Sequence, residues 1–354
     1  MSRSPLHESL VAEDLAEIIA QPLPWEQLSG KRVLVTGASG FLGKYLVRTL
    51  LQINATGRLS TPIEVLGMVR DKVRAEQEFS GLIDSEHFAL LPWDLSRMES
   101  PSIGDVNYVL HAASPASPKN YATDPIGSLL PNVTGTVALL SAWSASLHPD
   151  RFLFVSSGEV YGSVQPDTVL TETTFGSIDP TDPRSCYAEG KRTGEALTVA
   201  WGRQHALHTS IVRLFHTYGP GLAEDDGRSF ADFTYQAARG APLTLTSDGS
   251  ALRTYCYVTD AVTAIFTVLL QGASGAAYNV ANVNAEVSIL ELVELLIALF
   301  PERKLAISRN SPATNYLPSS HSRLATSVQR LNELGWAPRV GLAQGFQRTV
   351  LSLA

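Results

Sequence analysis

Short apolar runs alternate along this chain with longer stretches in which apolar residues recur every three or four positions. The longer stretches have the spacing of amphipathic helices, most clearly over residues 42–52 and 132–146. The short runs predict buried strands over residues 31–36, 63–69, 106–111, 151–156, 208–215 and 277–280. Alternation of strands and helices indicates an α/β fold with a doubly wound parallel sheet and right-handed crossovers.

The same pattern divides the chain into three parts. Residues 1–28 form a helical extension, with apolar side chains at helical spacing over 6–20, and are expected to pack on the body of the protein. Residues 29–215 contain the regular alternation of strands and helices. Residues 216–354 alternate helices with loops rich in Gly, Asp and Arg, which predicts a smaller, interleaved substrate-binding lobe. The sheet is expected to take strands from both of the last two parts.

Composition and charge narrow the classes of partner. The net charge of −7 and the isoelectric point of about 5.6 argue against binding to nucleic acid or to an anionic membrane. The two cysteines form no Cys-x-x-Cys pair, so no disulfide framework and no metal site are expected, and the expected location is the reducing cytoplasm. The longest apolar run, around 261–270, falls short of the ~20 residues that span a bilayer, so no membrane segment is expected. Acidic residues near the N-terminus argue against a signal peptide.

A glycine-rich turn follows the first predicted strand. The segment Val33-Leu-Val-Thr-Gly-Ala-Ser-Gly-Phe-Leu-Gly43 places Gly37, Gly40 and Gly43 three residues apart, where a strand ends and a helix begins. Glycines at such a place permit a tight turn and let the backbone approach a pyrophosphate at the helix N-terminus. The segment predicts a dinucleotide-binding, Rossmann-type domain over residues 29–215, with NAD or NADP as the cofactor.

The end of the second strand bears on the choice between these cofactors. An acidic side chain at this place binds the ribose 2′-hydroxyl of NAD, whereas an arginine nearby suits the 2′-phosphate of NADP. Arg70 and Asp71 are adjacent here, so both cofactors remain open, and Arg70 favours NADP. Asp94, which lies between the second and third predicted strands, can hold the adenine or can simply begin a helix.

Two further motifs supply acid–base groups. Tyr187 and Lys191 are four residues apart on a predicted helix and therefore share a face. A nearby ammonium favours the phenolate, so Lys191 is expected to lower the pKa of Tyr187 from its ordinary value of ~10 and make it a usable base. Ser157 and Glu159 follow the strand over 151–156, at the sheet edge where α/β proteins bind ligands. Ser157 can hydrogen-bond a substrate hydroxyl or ketone, and Glu159 adds a carboxylate.

Together these motifs resemble the extended short-chain dehydrogenase/reductases of the nucleotide-sugar epimerase/dehydratase family, from about residue 31 to about 336. The resemblance implies that Ser157, Tyr187 and Lys191 form the catalytic triad and that a tightly bound cofactor oxidises C4 of a nucleotide-linked sugar. It further implies a homodimer through a four-helix bundle, with the helices over 132–146 and 187–203 as candidates. Cofactor contacts are implied for Gly37, Gly40, Phe41, Leu42, Gly43, Arg70, Asp94, Leu95, Ala112, Ala113, Tyr187 and Lys191.

Within the family, the chain is most similar to UDP-glucuronate decarboxylases. The segment His111-Ala-Ala-Ser-Pro-Ala-Ser-Pro118 looks like their HLASPASP, and Arg184-Ser-Cys-Tyr-Ala-Glu-Gly-Lys-Arg192 looks like their RxCYxEGKR. Glu159 falls on their acidic residue. The resemblance implies that oxidation at C4 of a glucuronate yields a β-keto acid, which loses CO2 before the ketone is reduced again. Implied substrate contacts are Ser114, His216, Arg228, Arg253 and Arg323, of which Arg228 and Arg253 would hold the diphosphate.

Departures from that pattern keep other reactions open. Gly158 stands where decarboxylases usually have Ser and 4,6-dehydratases have Asp or Ser, His216 replaces Asn, and Gly221 replaces Arg. Decarboxylation of UDP-glucuronate is the first prediction, and 4,6-dehydration of a nucleoside-diphosphate glucose is the alternative. A 4-epimerase and an NADPH-dependent ketosugar reductase follow. A catalytically inactive scaffold is disfavoured because Tyr187 and Lys191 are both present.

Overall fold

A computed structural model describes residues 4–97, 99–165, 167–310 and 325–353. The helices are α1 Pro5–Ile19, α2 Phe41–Asn54, α3 Lys72–Glu78, α4 Pro118–Thr123, α5 Pro125–Ser144, α6 Ser185–His205, α7 Ser229–Ala238, α8 Val258–Gln271, α9 Ile289–Leu299, α10 Gln329–Asn332 and α11 Leu342–Leu351. The strands are β1 Arg32–Thr36, β2 Glu64–Val69, β3 Phe88–Pro92, β4 Tyr108–His111, β5 Arg151–Ser157, β6 Thr209–Leu214, β7 His216–Tyr218, β8 Leu243–Leu245, β9 Leu252–Tyr257, β10 Ala276–Val280, β11 Glu286–Ser288 and β12 Ile307–Arg309.

Seven parallel strands form the central sheet, in the order β3-β2-β1-β4-β5-β6-β10. Side chains of β1 alternate between its two faces, because successive residues of a strand point to opposite sides. Val33 and Val35 belong to the core on the side of α2 and α8, whereas Leu34 belongs to the core on the side of α5 and α6. The predicted doubly wound, Rossmann-type sheet is confirmed. The strand order reverses between β1 and β4, which opens a crevice at their carboxyl ends.

The later part of the chain adds two small sheets beside this edge. One has the order β11-β9-β7, and the other pairs β12 with β8. β7 is parallel to β9, with His216 opposite Tyr255. β10 returns to the central sheet beside β6, as expected for a lobe interleaved with the first domain. The strands β3, β7, β8, β9, β11 and β12 were not predicted. Five of them have only three to five residues, too few for their periodicity to separate a strand from a loop. The sixth, β9, begins in a segment that was predicted to be a loop rich in Gly, Asp and Arg.

Helix α1 packs across α2, α8 and α11 through a buried carboxylate. Asp14 is fully buried and accepts hydrogen bonds from Tyr45 of α2 (2.8 Å) and from Tyr257 of β9 (3.0 Å to Oδ1). Arg348 of α11 lies 3.3 Å from the same carboxylate and pairs with Glu17 at 2.7 Å. Burial is the largest cause that raises the pKa of Asp14 to about 7. The extension therefore packs on the body, as its amphipathic pattern indicated.

Helix α5 corrects two predictions. It begins at Pro125, seven residues before the predicted start, with Asp124 accepting a hydrogen bond from Gly127 N and with Pro131 inside the helix. By length and composition its 20 residues could also cross a membrane, contrary to the expectation that no segment would. Scattered Ser, Thr, Asn and Gly residues interrupt its apolar run and hide this property in the sequence. In the structure α5 packs against α6, and 44% of its apolar window is buried inside the protein.

Candidate active site

The turn after β1 has room for backbone but not for side chains. Gly37 has a φ of +64°, and a Cβ there would lie 2.8 Å from Cα of Ala113. A Cβ on Gly43 would lie 2.1 Å from the carbonyl oxygen of Gly37. Gly40 is the N-cap of α2, and no side chain caps the helix there, so its first N–H groups stay open to a ligand. This geometry suits an anionic pyrophosphate at the start of a helix.

Buried hydrogen bonds fix this turn relative to β4 and α5. The N–H of Ala113 donates to Thr36 Oγ1 (3.0 Å), which lies 2.9 Å from His111 Nδ1. On its other side, His111 Nε2 lies 3.2 Å from Thr136 Oγ1, which donates its proton to the Asn132 carbonyl (2.7 Å). Thr136 can therefore only accept from His111, so His111 Nε2 carries the proton. Burial lowers the pKa of His111 to about 3, which keeps the ring neutral.

A cavity of about 480 Å³ extends from the glycine turn to the ends of β4, β5 and β6. Its walls include residues predicted to bind cofactor: Gly37, Gly40, Phe41, Leu42, Gly43, Ala112, Ala113, Tyr187 and Lys191. Ser114 and Ser117 also line it, and their buried hydroxyls have no hydrogen-bond partner within the described part of the chain. Glycines packed against backbone, an open helix N-terminus and unpaired hydroxyls together fit a dinucleotide.

Three residues predicted to contact the cofactor lie outside the lining of this cavity. Arg70 is exposed at the end of β2, close enough to Asp94 to help lower the pKa of that carboxyl. The main cause of that lowered pKa is the backbone N–H of Ser96, which Asp94 Oδ1 accepts at 2.9 Å. Leu95 is buried against α5 instead. Asp71 caps α3 by accepting from Arg74 N (3.0 Å), so its carboxylate is already engaged.

Ser157, Tyr187 and Lys191 meet at one end of the cavity, since all three line it. Tyr187 and Lys191 share a face of α6, with the Lys191 ammonium 5.8 Å from the Tyr187 ring centre. Lys191 Nζ donates to the carbonyl of Val155 (2.7 Å), and Ser157 forms a side-chain hydrogen bond with Tyr187. The end of β5 thus supplies the partners of both groups on α6.

The expected effect of Lys191 on Tyr187 is not found. Burial raises the pKa of Tyr187 to about 12, while the hydrogen bond from Ser157 and the charge of Arg228 act in the lowering direction. Lys191 is itself buried, which lowers the pKa of its ammonium to about 7. A desolvated ammonium that is only partly charged near neutral pH cannot stabilise the phenolate strongly. The sequence spacing indicated the shared face but not the burial of both groups.

A second cavity, of about 310 Å³, adjoins the first where Ser157, Tyr187 and Arg228 line both. Its walls include three of the predicted substrate residues, His216, Arg228 and Arg253, together with Glu159. The structure therefore brings Glu159 and two arginines together at the triad. Ser114 lines the first cavity rather than this one. Arg323 lies outside the described residues.

The two arginines are held differently. Arg228 forms a two-point ion pair with Asp226 (2.5 and 2.7 Å). This ion pair occupies N–H groups that would otherwise be available to bind a phosphate. Its guanidinium also lies 4.7 Å from the Phe230 ring centre. Arg253, on β9, is 9% exposed, and its Nη1 donates to the Leu252 carbonyl (2.8 Å). Both keep donors near the cavity, because an arginine has five N–H groups.

The departures from the decarboxylase pattern lie side by side. A Cβ on Gly158 would lie 2.9 Å from the ring of Phe215, so Phe215 takes space beside a position that usually carries Ser. His216 follows Phe215 and packs edge-on to Phe230 (5.9 Å between ring centres) and tilted against Tyr255 (5.6 Å). One wall of the second cavity is therefore aromatic.

Two residues of this site had not been assigned roles from the sequence. Tyr121 of α4 stacks on Tyr187, with ring centres 5.0 Å apart and planes at 18°, and its hydroxyl donates to the Ala116 carbonyl. The guanidinium of Arg184 lies 5.9 Å from the Tyr121 ring, and its Nη2 is 3.9 Å from Glu159. No local motif marks Tyr121, because its contact joins segments distant in sequence. Arg184 lies within the segment that resembles RxCYxEGKR, which was the available signal.

Comparisons with known proteins agree with this arrangement. The model of the NAD dependent epimerase/dehydratase family matches residues 33–281. UDP-glucuronic acid decarboxylase 6 of Arabidopsis thaliana is 33% identical over 321 residues, which cover 90% of this chain and 87% of that protein. A structure of UDP-glucuronic acid 4-epimerase from Bacillus cereus with UDP-glucuronic acid and NAD superimposes with a TM-score of 0.75 at 22% identity, over 91% of this chain and 98% of that one. dTDP-glucose 4,6-dehydratase from Bacillus anthracis with NAD gives a TM-score of 0.71 at 23% identity, over 91% and 96%. At such identities these structures support the fold alone.

Proposed function

Because this chain belongs to the NAD-dependent epimerase/dehydratase family, we propose that it converts a nucleoside-diphosphate sugar by internal oxidation and reduction, with decarboxylation of UDP-glucuronate as the reaction. One observation carries the proposal: the two cavities meet at Ser157 and Tyr187, and Glu159 and Arg253 line the cavity on the substrate side. The relative that is 33% identical carries the name of this activity.

The residues of the chain divide the chemistry between them. Gly37, Gly40 and Gly43 would hold the pyrophosphate of the dinucleotide, which supplies a hydride acceptor and donor when bound. In its phenolate form, Tyr187 accepts the proton of the substrate C4 hydroxyl, and Ser157 hydrogen-bonds the same oxygen. A C4 ketone makes a uronic acid a β-keto acid, so loss of CO2 needs no further redox partner. Arg253 offers its guanidinium to the diphosphate.

Purified protein incubated with UDP-glucuronate, without added cofactor, tests the reaction. Mass spectrometry should show a sugar nucleotide that has lost CO2, with no net change in the absorbance of a reduced cofactor. A parallel incubation with dTDP-glucose serves as the matched comparison. If UDP-glucuronate keeps its mass while dTDP-glucose loses water, the decarboxylase proposal is wrong and the enzyme is a dehydratase.

The dehydratase stays the second candidate because of Glu159. Its carboxylate lines the substrate cavity next to Ser157, where a base for a sugar C–H would be needed. Gly158 argues against dehydration, because a glycine has no acidic group to protonate the departing hydroxyl.

For the cofactor, we propose that NADP is accepted at least as well as NAD. Support comes from Arg70, which is exposed at the end of β2, and from Asp71, whose carboxylate is engaged as the cap of α3. Arg70→Ala should weaken binding of NADP about tenfold and leave binding of NAD nearly unchanged, since one arginine–phosphate contact is lost. Calorimetric titration of cofactor-free protein with each dinucleotide measures both, and Lys72→Ala serves as the control. Equal losses for both cofactors would rule out selection by Arg70.

We also propose that α5 and α6 pair with the same helices of a second copy. Ile126 and Val137 are exposed on α5, at 66% and 37%. Val137→Glu should convert a dimer to a monomer in analytical ultracentrifugation, because the interface would bury an unpaired charge. Val283→Glu is the matched control, since Val283 is similarly exposed (42%) but lies outside both helices. A dimer that survives Val137→Glu would place the interface elsewhere.

A further inference from the structure

A buried ion pair lies one helical turn beyond Lys191, outside the walls of both cavities. Glu195 of α6 is 9% exposed and forms a two-point contact with Arg213 of β6. Arg213 Nε donates to Glu195 Oε1 (2.9 Å), and Arg213 Nη2 donates to Oε2 (2.6 Å). A buried carboxylate without partners would be energetically costly. Arg213 supplies those partners, and its two-point contact fixes Glu195 in one orientation.

The pair also holds the strand end that carries the triad serine. Ser156 donates from its hydroxyl to Glu195 Oε1 (2.5 Å). The preceding residue, Val155, accepts from Lys191 Nζ (2.7 Å), and the following residue is Ser157. Each of the last three residues of β5 thus contacts α6, and two of these contacts come from charged groups.

Arg213 is anchored in turn, so the pair is not free to move. Its Nη1 donates to the Tyr161 hydroxyl (3.0 Å), and its guanidinium lies 4.9 Å from the Tyr161 ring centre. The Tyr161 hydroxyl donates to Asn279 Oδ1 (2.6 Å) on the neighbouring strand β10. Glu195 is therefore tied through Arg213 and Tyr161 to β10, the strand at the edge of the central sheet.

The charges around Lys191 give this pair a second consequence. Lys191 is 2% exposed, and burial disfavours its ammonium, while the Glu195 carboxylate acts in the opposite direction. His111 of β4 faces Lys191 as a neutral ring, and Tyr187 is a neutral phenol near pH 7. Helix α5, packed on α6, carries no ionisable side chain, and Arg213 of β6 is engaged by Glu195. Among these groups, Glu195 alone favours the charged form of Lys191.

We propose that Glu195 is a positioning residue for the redox chemistry: held by Arg213, it fixes the end of β5 and places its carboxylate one helical turn from Lys191, whose positive charge it favours. The proposal rests on the proposed function only in so far as Lys191 takes part in the reaction. Loss of the carboxylate would leave Lys191 neutral over more of the pH range, so its contribution to orienting ligand would fall.

The six lysines of the chain allow a direct test that needs no substrate. Protein labelled with ¹³C at lysine Cε is titrated by NMR, and the Lys191 signal is identified by its absence in Lys191→Met. In Glu195→Gln the titration midpoint should move down by about one pH unit or more. Glu195→Asp should retain most of the wild-type midpoint. Glu189→Gln, which changes a half-buried carboxylate that pairs with Arg192 on the same helix, should leave it unchanged.

A double variant separates charge from packing. Glu195→Gln with Arg213→Gln leaves a neutral amide pair and avoids an unpaired buried guanidinium, so it guards against misfolding of the single variant. Its midpoint should be lowered by less than that of Glu195→Gln, because the positive charge of Arg213 is removed as well, and the basic limb of kcat against pH should move with it. An unchanged midpoint in the folded double variant would overturn the proposal. If the midpoint falls but no nucleotide sugar is converted even by wild-type protein, the proposed function fails while the role of Glu195 stands.

Discussion

Tyr187→Phe should lower kcat by about a thousandfold while leaving the fold and cofactor binding intact, since general-base catalysis contributes about that factor. The phenol is the group on which the two cavities converge, and Ser157 already hydrogen-bonds it. Phenylalanine keeps the ring and therefore the stack on Tyr121, whose centre lies 5.0 Å away. Steady-state kinetics on the converted sugar nucleotide, with circular dichroism as the fold check, measures the effect.

Tyr121→Phe is the matched control for that change. It removes a hydroxyl from the other ring of the stack, and that hydroxyl donates to the Ala116 carbonyl at 2.9 Å. The loss of one such hydrogen bond should cost about tenfold or less in kcat. Comparable losses in the two variants would mean that the stack, rather than the Tyr187 hydroxyl, supports catalysis. Retention of more than a small part of the activity in Tyr187→Phe would remove Tyr187 as the base.

The second large effect concerns stability and pH at Asp14. Between its ordinary pKa of 3.8 and its folded pKa of about 7, the folded state keeps a proton that the unfolded chain has released. Asp14 therefore makes the protein less stable as pH rises through this range, by up to about 4 kcal/mol. Asp14→Asn cannot titrate but can still accept from the hydroxyls of Tyr45 and Tyr257. Its stability relative to wild type should rise steadily between pH 4 and pH 8.

Urea unfolding of both proteins at several pH values between 4 and 8 measures that difference. Asp14→Ala is the companion variant, and it should be destabilised at low pH by about 2–4 kcal/mol because two buried hydroxyls and the Arg348 guanidinium lose a partner. Parallel stability curves for wild type and Asp14→Asn would show that Asp14 titrates normally. Glu13→Gln, on the exposed face of α1, provides the control for helix charge.

The sequence predicted the sheet well because its strands are buried on both faces. When helices cover both sides of a strand, its central residues must be apolar on both faces, and the runs over 33–35 and 152–155 are easy to recognise for this reason. The glycine turn was equally easy to recognise, because the backbone around Gly37 and Gly43 has no room for a Cβ and therefore requires glycine at both positions. Such constraints act within a short segment and are visible in its sequence.

What the sequence did not reveal depends on contacts between distant segments. The Tyr121–Tyr187 stack joins α4 to α6, and the Glu195–Arg213 pair joins α6 to β6. Neither pair is marked by a characteristic separation of its two residues along the sequence. The pKa of Tyr187 was predicted in the wrong direction for the same reason, because the neighbouring ammonium was visible in the sequence while the burial of both groups was not.

The partners of Asp14 also constrain the order in which the protein can be completed during synthesis. Arg348 is translated 334 residues after Asp14, which at about 5–20 residues per second is roughly 17–67 s later. Tyr45 is synthesised soon after Asp14, so α1 can pack on α2 during translation. Tyr257 and then Arg348 are synthesised much later. Until then the carboxylate lacks its cation, and α1 lacks its contact with α11. A ribosome stalled before α11 should therefore hold a nascent chain whose first helix is less well protected from proteases than in the complete protein.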